Sequence, residues 1–128
     1  MSKFILCLFL LLSLYNCEKV FEISDEETNK HEFEVRKGEE FSLKFASNPT
    51  TGFSWHFLNE DEVNDSILFI KSEYVASPGQ PLKGKGGHTF FYFKAIEVTN
   101  EAKQLEFTYR RGANTNGLTK QIVKINVY

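Results

Sequence analysis

The sequence predicts an all-β protein, an immunoglobulin-like β-sandwich of about seven strands, on three observations. Apolar and polar residues alternate with a period of two along nearly the whole chain after residue 17. No window carries the apolar stripe of an amphipathic helix. Six clusters rich in Gly, Pro, Asn, Asp and Ser interrupt the alternation, so it falls into seven runs, the number of strands in the simplest such sandwich.

The opening "MSKFILCLFLLLSLYNC" stands outside this pattern. Lys3 precedes the apolar stretch Phe4 to Leu14, and charged residues return only at Glu18. A basic start and a short apolar core read as a secretory signal peptide over residues 1–17, because a spanning helix needs about 20 apolar residues. The expected mature unit is residues 18–128, a single domain. Its expected place is the secretory pathway, either secreted or in the lumen of lysosome-like or phagosomal vesicles.

Losing Lys3 leaves 14 Lys+Arg against 17 Asp+Glu, a net charge of -3. A weakly acidic surface points away from nucleic acid and from anionic membranes, and the expected product is a soluble monomer. Cys7 and Cys17 both fall within the leader, so no internal disulfide is expected despite the oxidising route. The core must then hold by packing. Of the 13 phenylalanines, Phe4 and Phe9 lie in the leader and the remaining 11 are available for it.

The strands, lettered A to G, follow in order. "VFEI" and "HEFEVRKGE" read as a bent first strand or a hairpin edge. "EFSLKFA" sets Phe41, Leu43 and Phe45 on one face, and "FSWHF" sets Phe53, Trp55 and Phe57. "ILFIKSEYV", "TFFYFKAIEV", "KQLEFTYR" and "KQIVKINVY" complete the set. The breaks are "KGE", "SNPTTG", "NEDEVND", "SPGQPLKGKGG", "TNEA" and "RGANTNG". If successive strands run up and down, the B–C, D–E and F–G connections emerge at one end. The acidic "NEDEVND" reads as a plain solvated turn at the other.

Catalysis has no visible basis. His31, His56 and His88 sit in separate elements, with no Cys, Ser or carboxylate spaced for a triad or a metal set, and they read as surface residues. "GKGG", Gly84 to Gly87, lacks the spacing and the following Ser or Thr of a phosphate loop, and no cofactor is implied. Asn64-Asp65-Ser66 fits a glycosylation acceptor. "NPTTGF" has the chemistry of a stiff turn, since Pro49 fixes one dihedral and Gly52 supplies a positive one. As a binding element, such a loop loses little entropy on docking. "GKGG" is either a flexible turn or a place where missing side chains admit a close backbone approach.

Six successive residues, Asn48 to Phe53, followed by Trp55, resemble the signature of the chagasin-like inhibitors of papain-family cysteine proteases. A second motif of that family, GxGG, is matched by Gly84, Lys85, Gly86 and Gly87, with Phe93, Lys94 and Ala95 ending the strand beyond. A third, Tyr-x-Arg-Pro-aromatic, is matched by Tyr109, Arg110 and Arg111, whereas Gly112 and Ala113 replace the proline and the aromatic. The resemblance covers Phe33 to Tyr128.

It implies an immunoglobulin-like fold whose B–C, D–E and F–G loops form one wedge in the protease cleft, bound reversibly and without a covalent bond. The implied contacts are Asn48, Pro49, Thr50, Thr51, Gly52 and Phe53, then Gly84 to Gly87, then Arg110 and Arg111. Thr50 would sit closest to the catalytic Cys and His, while Phe53 and Trp55 anchor the loop. A non-inhibitory immunoglobulin-like recognition or adhesion module is the other reading of the same fold.

Overall fold

In the segment Glu40–Ser47, Phe41, Leu43 and Phe45 are fully buried while Lys44 and Ala46 reach solvent, so the predicted alternation sets one face of a strand inward. The computed structural model describes residues 18–24, 30–78, 86–112 and 119–128. Its strands are β1 (Lys19–Ile23), β2 (His31–Val35), β3 (Glu40–Ser47), β4 (Phe53–Phe57), β5 (Ile67–Ala76), β6 (Gly87–Ala95), β7 (Lys103–Arg111) and β8 (Thr119–Val127). Two sheets of four strands, ordered β1-β3-β6-β5 and β2-β8-β7-β4, face each other. Strands B to G are β3 to β8, and the sheet composition is that of an immunoglobulin-like sandwich.

The described residues therefore hold eight strands, because "VFEI" and "HEFEV" do not pair with each other but lie in different sheets. β1 lies parallel to β3 in one sheet, and β2 lies parallel to β8 in the other. Phe21 and Phe33 stack at 4.2 Å, joining the two pieces side chain to side chain. Each piece covers a strand edge that would otherwise stand open.

The "NEDEVND" break also differs from a plain turn. Glu60–Val63 forms one helical turn, α1, that buries Val63 and the preceding Asn59. The Asn59 amide donates to Gln104 O at 2.7 Å and its oxygen accepts from Glu106 N at 2.8 Å, so this connection is tied to β7. His31 is another departure. It is buried at 6% exposure, with Nε2 3.1 Å from Ser24 O, instead of standing on the surface.

Phenylalanines fill the space between the sheets. Phe41, Phe45, Phe93 and Phe107 are fully excluded from water, and Phe45 meets Phe107 at 4.8 Å and Trp55 at 4.6 Å. Each such ring removes a large apolar area from water, which stabilises a core that has no cysteine among the described residues. β5 is an edge strand, and a register shift between Phe69 and Lys71, with Lys71 itself, blunts it against further pairing.

Strand directions fix the working end. β3 and β5 are both antiparallel to β6, and β7 is antiparallel to β4 and β8. The short turn between β3 and β4 reverses the chain, so odd strands run toward one end and even strands away from it. The β3–β4, β5–β6 and β7–β8 connections thus share that end, as the strand order in the sequence implied. β1, being parallel to β3, also finishes toward it, a fourth connection that the lettered scheme lacked.

Candidate functional site

Pro49–Thr51 forms a single 3-10 turn at the working end, closed by Gly52 in the left-handed region at φ 85°. A proline at the start sets the first dihedral, and the glycine accepts a backbone that side chains disfavour. Thr51 N donates to Asn48 O at 3.2 Å and Gly52 N to Pro49 O at 3.0 Å. Both threonine hydroxyls also donate inward. Thr50 Oγ1 reaches Asn48 Oδ1 at 2.6 Å, and Thr51 Oγ1 reaches Asn48 O at 2.7 Å. Pro49 to Gly52 are exposed, so the turn protrudes while its hydrogen bonds hold its shape.

The base of the turn is held by the facing strand. Asn48 N donates to the Tyr109 hydroxyl at 3.1 Å, and Arg111 Nη2 donates to Thr51 O at 2.7 Å. The Arg111 guanidinium lies over the Phe53 ring at 5.1 Å, and Phe53 stacks on Tyr109 at 5.6 Å. Trp55 is buried, and its Nε1 donates to Ala46 O at 2.9 Å, tying β4 to β3 across the two sheets. Trp55 thus belongs to the core beneath the loop, as expected, whereas Phe53 is half-buried outside it, between Tyr109 and Arg111.

The glycine-rich connection contributes its foot to the same place. Gly84 and Lys85 lie outside the described residues. A Cβ on Gly86 would stand 2.5 Å from Ser47 O, and one on Gly87 would strike Val75 O and the Ala76 backbone. The close backbone approach that these two glycines permit is therefore to β3 and β5 of the same chain. Ser77 Oγ fastens Gly86 O at 2.6 Å. A cleft of about 320 Å³ runs between Ser47, Asn48, Trp55, Gly86 and Tyr109, so the feet of the three loops border one hollow.

Arg110 and Arg111 part company. Arg111 pairs in register with Phe53 and turns to the loop, whereas Arg110 pairs with Ser54 on the other face. There His56 Nε2 lies 3.1 Å from Ser54 Oγ. Burial, then the nearby Arg110 cation, hold the His56 imidazole below its ordinary value. Gly112 follows at φ 56°, in the left-handed region, and Ala113 lies outside the described residues. Among the described residues, no group of three His, Cys, Asp or Glu side chains could hold a metal ion, and no helix is long and apolar enough to cross a membrane.

The sequence located the turn but missed what fixes it. The motif that includes Tyr109 and Arg111 carries no sign of these contacts, since their partners lie 61 and 60 positions away.

Comparison with known proteins agrees with this architecture. Residues 34–127 match the family described as "Chagasin family peptidase inhibitor I42". Chagasin from Trypanosoma cruzi is 33% identical over 79 residues, covering 60% of this chain and 69% of chagasin. The cysteine protease inhibitor EhICP2 from Entamoeba histolytica superposes with a TM-score of 0.67 at 14% identity, over 87% of this chain and 97% of that one. PbICP-C, solved in complex with falcipain-2, gives a TM-score of 0.58 at 17% identity, over 86% and 99%. The chain thus belongs to the chagasin family, inhibitors of papain-like cysteine proteases rather than enzymes.

Proposed function

We propose that this protein inhibits papain-like cysteine proteases reversibly by inserting the β3–β4, β5–β6 and β7–β8 connections into the active-site cleft, with the Pro49–Thr51 turn foremost. The observation that carries this reading is the direction of the turn's polar atoms. The carbonyl oxygens of Asn48, Pro49 and Thr51 all accept hydrogen bonds from within the chain. A scissile peptide must lie extended with its carbonyl oxygen free to enter an oxyanion hole. The carbonyls of Asn48, Pro49 and Thr51 are not presented in that way.

The hydroxyls complete the picture. Because Thr50 Oγ1 and Thr51 Oγ1 give their protons to Asn48, only lone pairs remain to face outward. A papain-like site presents an imidazolium N–H beside a thiolate. An oxygen acceptor suits that N–H. The complex of PbICP-C with falcipain-2 supports a protease as the partner. The leader-like segment at residues 1–17 supports a meeting along the secretory route, outside the cell or in lysosome-like or phagosomal vesicles.

Titration of papain with the purified domain tests the proposal. Activity should fall toward zero near equimolar protein and return on dilution, with serine and metalloproteases unaffected. Full papain activity at large molar excess would refute it and favour the recognition-module reading.

A further inference from the structure

Resting on the inhibitory reading above, we infer that Arg111 is a positioning residue that holds the Pro49–Thr51 turn in its binding shape and does not itself pair with the protease. The side chain is exposed, and the contacts of its guanidinium are made within the chain. Nη2 donates to Thr51 O at 2.7 Å, the carbon lies 5.1 Å from the Phe53 ring centre, and a Cβ on Gly52 would come within 3.1 Å of Nε. The side chain therefore lies against the closing residues of the turn, with the Phe53 ring and the Thr51 carbonyl as its two contacts and the bare face of Gly52 beside it.

A 3-10 turn of three residues needs such help. Its two internal bonds satisfy Asn48 O and Pro49 O, and they leave Thr51 O for an outside donor. A charged donor makes the stronger bond, and the planar guanidinium can stack on an aromatic ring while donating in its own plane. Arg111 is the last residue of β7 and pairs in register with Phe53, so its backbone is fixed where the loop begins. Arg110, one position earlier, faces Ser54 and His56 and makes none of these contacts.

Wild type, Arg111→Met and Arg111→Lys would be compared by two readouts. The first is hydrogen exchange at the Thr51 and Gly52 amides in the free protein, the two groups bonded inside the turn. The second is the association rate with papain over a range of salt concentrations. Arg111→Met should speed exchange and slow association, each by roughly tenfold, because the competent turn is populated less. Its salt dependence should match wild type, since no ion pair with the protease is lost. Arg111→Lys should fall between, because an ammonium cannot stack and donate in one plane.

Unchanged exchange with a flattened salt dependence would overturn the inference in favour of a direct ion pair. Inhibition by Arg111→Met equal to wild type would overturn it as well. If wild type leaves papain active, the inhibitory reading fails, and amide exchange in the free protein still decides whether Arg111 holds the turn.

Discussion

The Tyr109 hydroxyl stands 3.1 Å from Asn48 N, so a side chain from one sheet receives the backbone of a loop that leaves the other. The same ring stacks on Phe53 and meets Trp55 at 5.0 Å, which places the hydroxyl at the foot of the turn. The loop thereby inherits the rigidity of the core. Tyr109→Phe should keep the fold and its ring contacts while removing the hydroxyl to which Asn48 N donates. Denaturant unfolding should show a loss of about 1 kcal/mol, with weaker papain inhibition. Unchanged stability and inhibition would separate this hydroxyl from the loop.

Gly86→Ala sets a Cβ 2.5 Å from Ser47 O, a backbone atom that can move only by shifting β3. We expect the foot of the β5–β6 connection to be displaced, with a stability loss of roughly 1–3 kcal/mol and weaker inhibition. Gly52→Val acts on the turn alone, since φ 85° is unfavourable to a β-branched residue and Arg111 Nε lies 3.1 Å from the new carbon. That variant should stay folded by circular dichroism and inhibit poorly. A Gly86→Ala protein as stable and as potent as wild type would show that the two connections do not pack as described.

Thr50→Val keeps the shape of the tip and removes its oxygen, together with the bond to Asn48 Oδ1 at 2.6 Å. If that oxygen accepts from the catalytic imidazolium, inhibition should weaken by about 1.5–3 kcal/mol, the range for a hydrogen bond to a charged group. Thr50→Asp should weaken it too, because a carboxylate meets the thiolate. Inhibition constants against one protease decide the matter, and equal constants for all three proteins would move the tip away from the catalytic pair.

His56 gives the pH dependence its sign. Its folded value is lowered by burial and by Arg110, so the unfolded chain takes up a proton first as pH falls. The other β7 charge on that face, Glu106, is paired with Lys120 at 3.5 Å. The His56 contribution to stability is present above the ordinary imidazole value of 6.5 and is lost as pH drops from there to the lowered folded value. Melting curves should show a shallower acid-side decline for His56→Gln than for wild type. Parallel curves would mean that the imidazole is not perturbed.

Strands β3, β6, β7 and β8 were legible because each carries buried residues at alternating positions, as with Leu105 and Phe107 or Val123 and Ile125, whereas β4 buries only Trp55 and β5 only Ile67. The division of the first strand was not legible, since no residue type marks a passage between sheets. It follows from Phe21 meeting Phe33. The helical turn at Glu60–Val63 is too short for any periodicity to register, and its place depends on Asn59 bonding to β7. Within the site, Pro49 and Gly52 announce their dihedrals locally. The side chains that complete the turn, Tyr109 and Arg111, lie 61 and 60 positions from their partners, and only the folded sandwich brings them together. The same distance effect hid the reason for Gly86, whose neighbour Ser47 stands on another strand.

The central claim is that the Pro49–Thr51 turn enters the cleft as an uncleavable, unreactive plug. Incubating the domain with active papain, dissociating the complex in denaturant and measuring both masses tests it most directly. The account predicts an unmodified protease and an inhibitor intact through residues 48–53. Cleavage within that segment, or a protease mass increased by an acyl adduct, would contradict it.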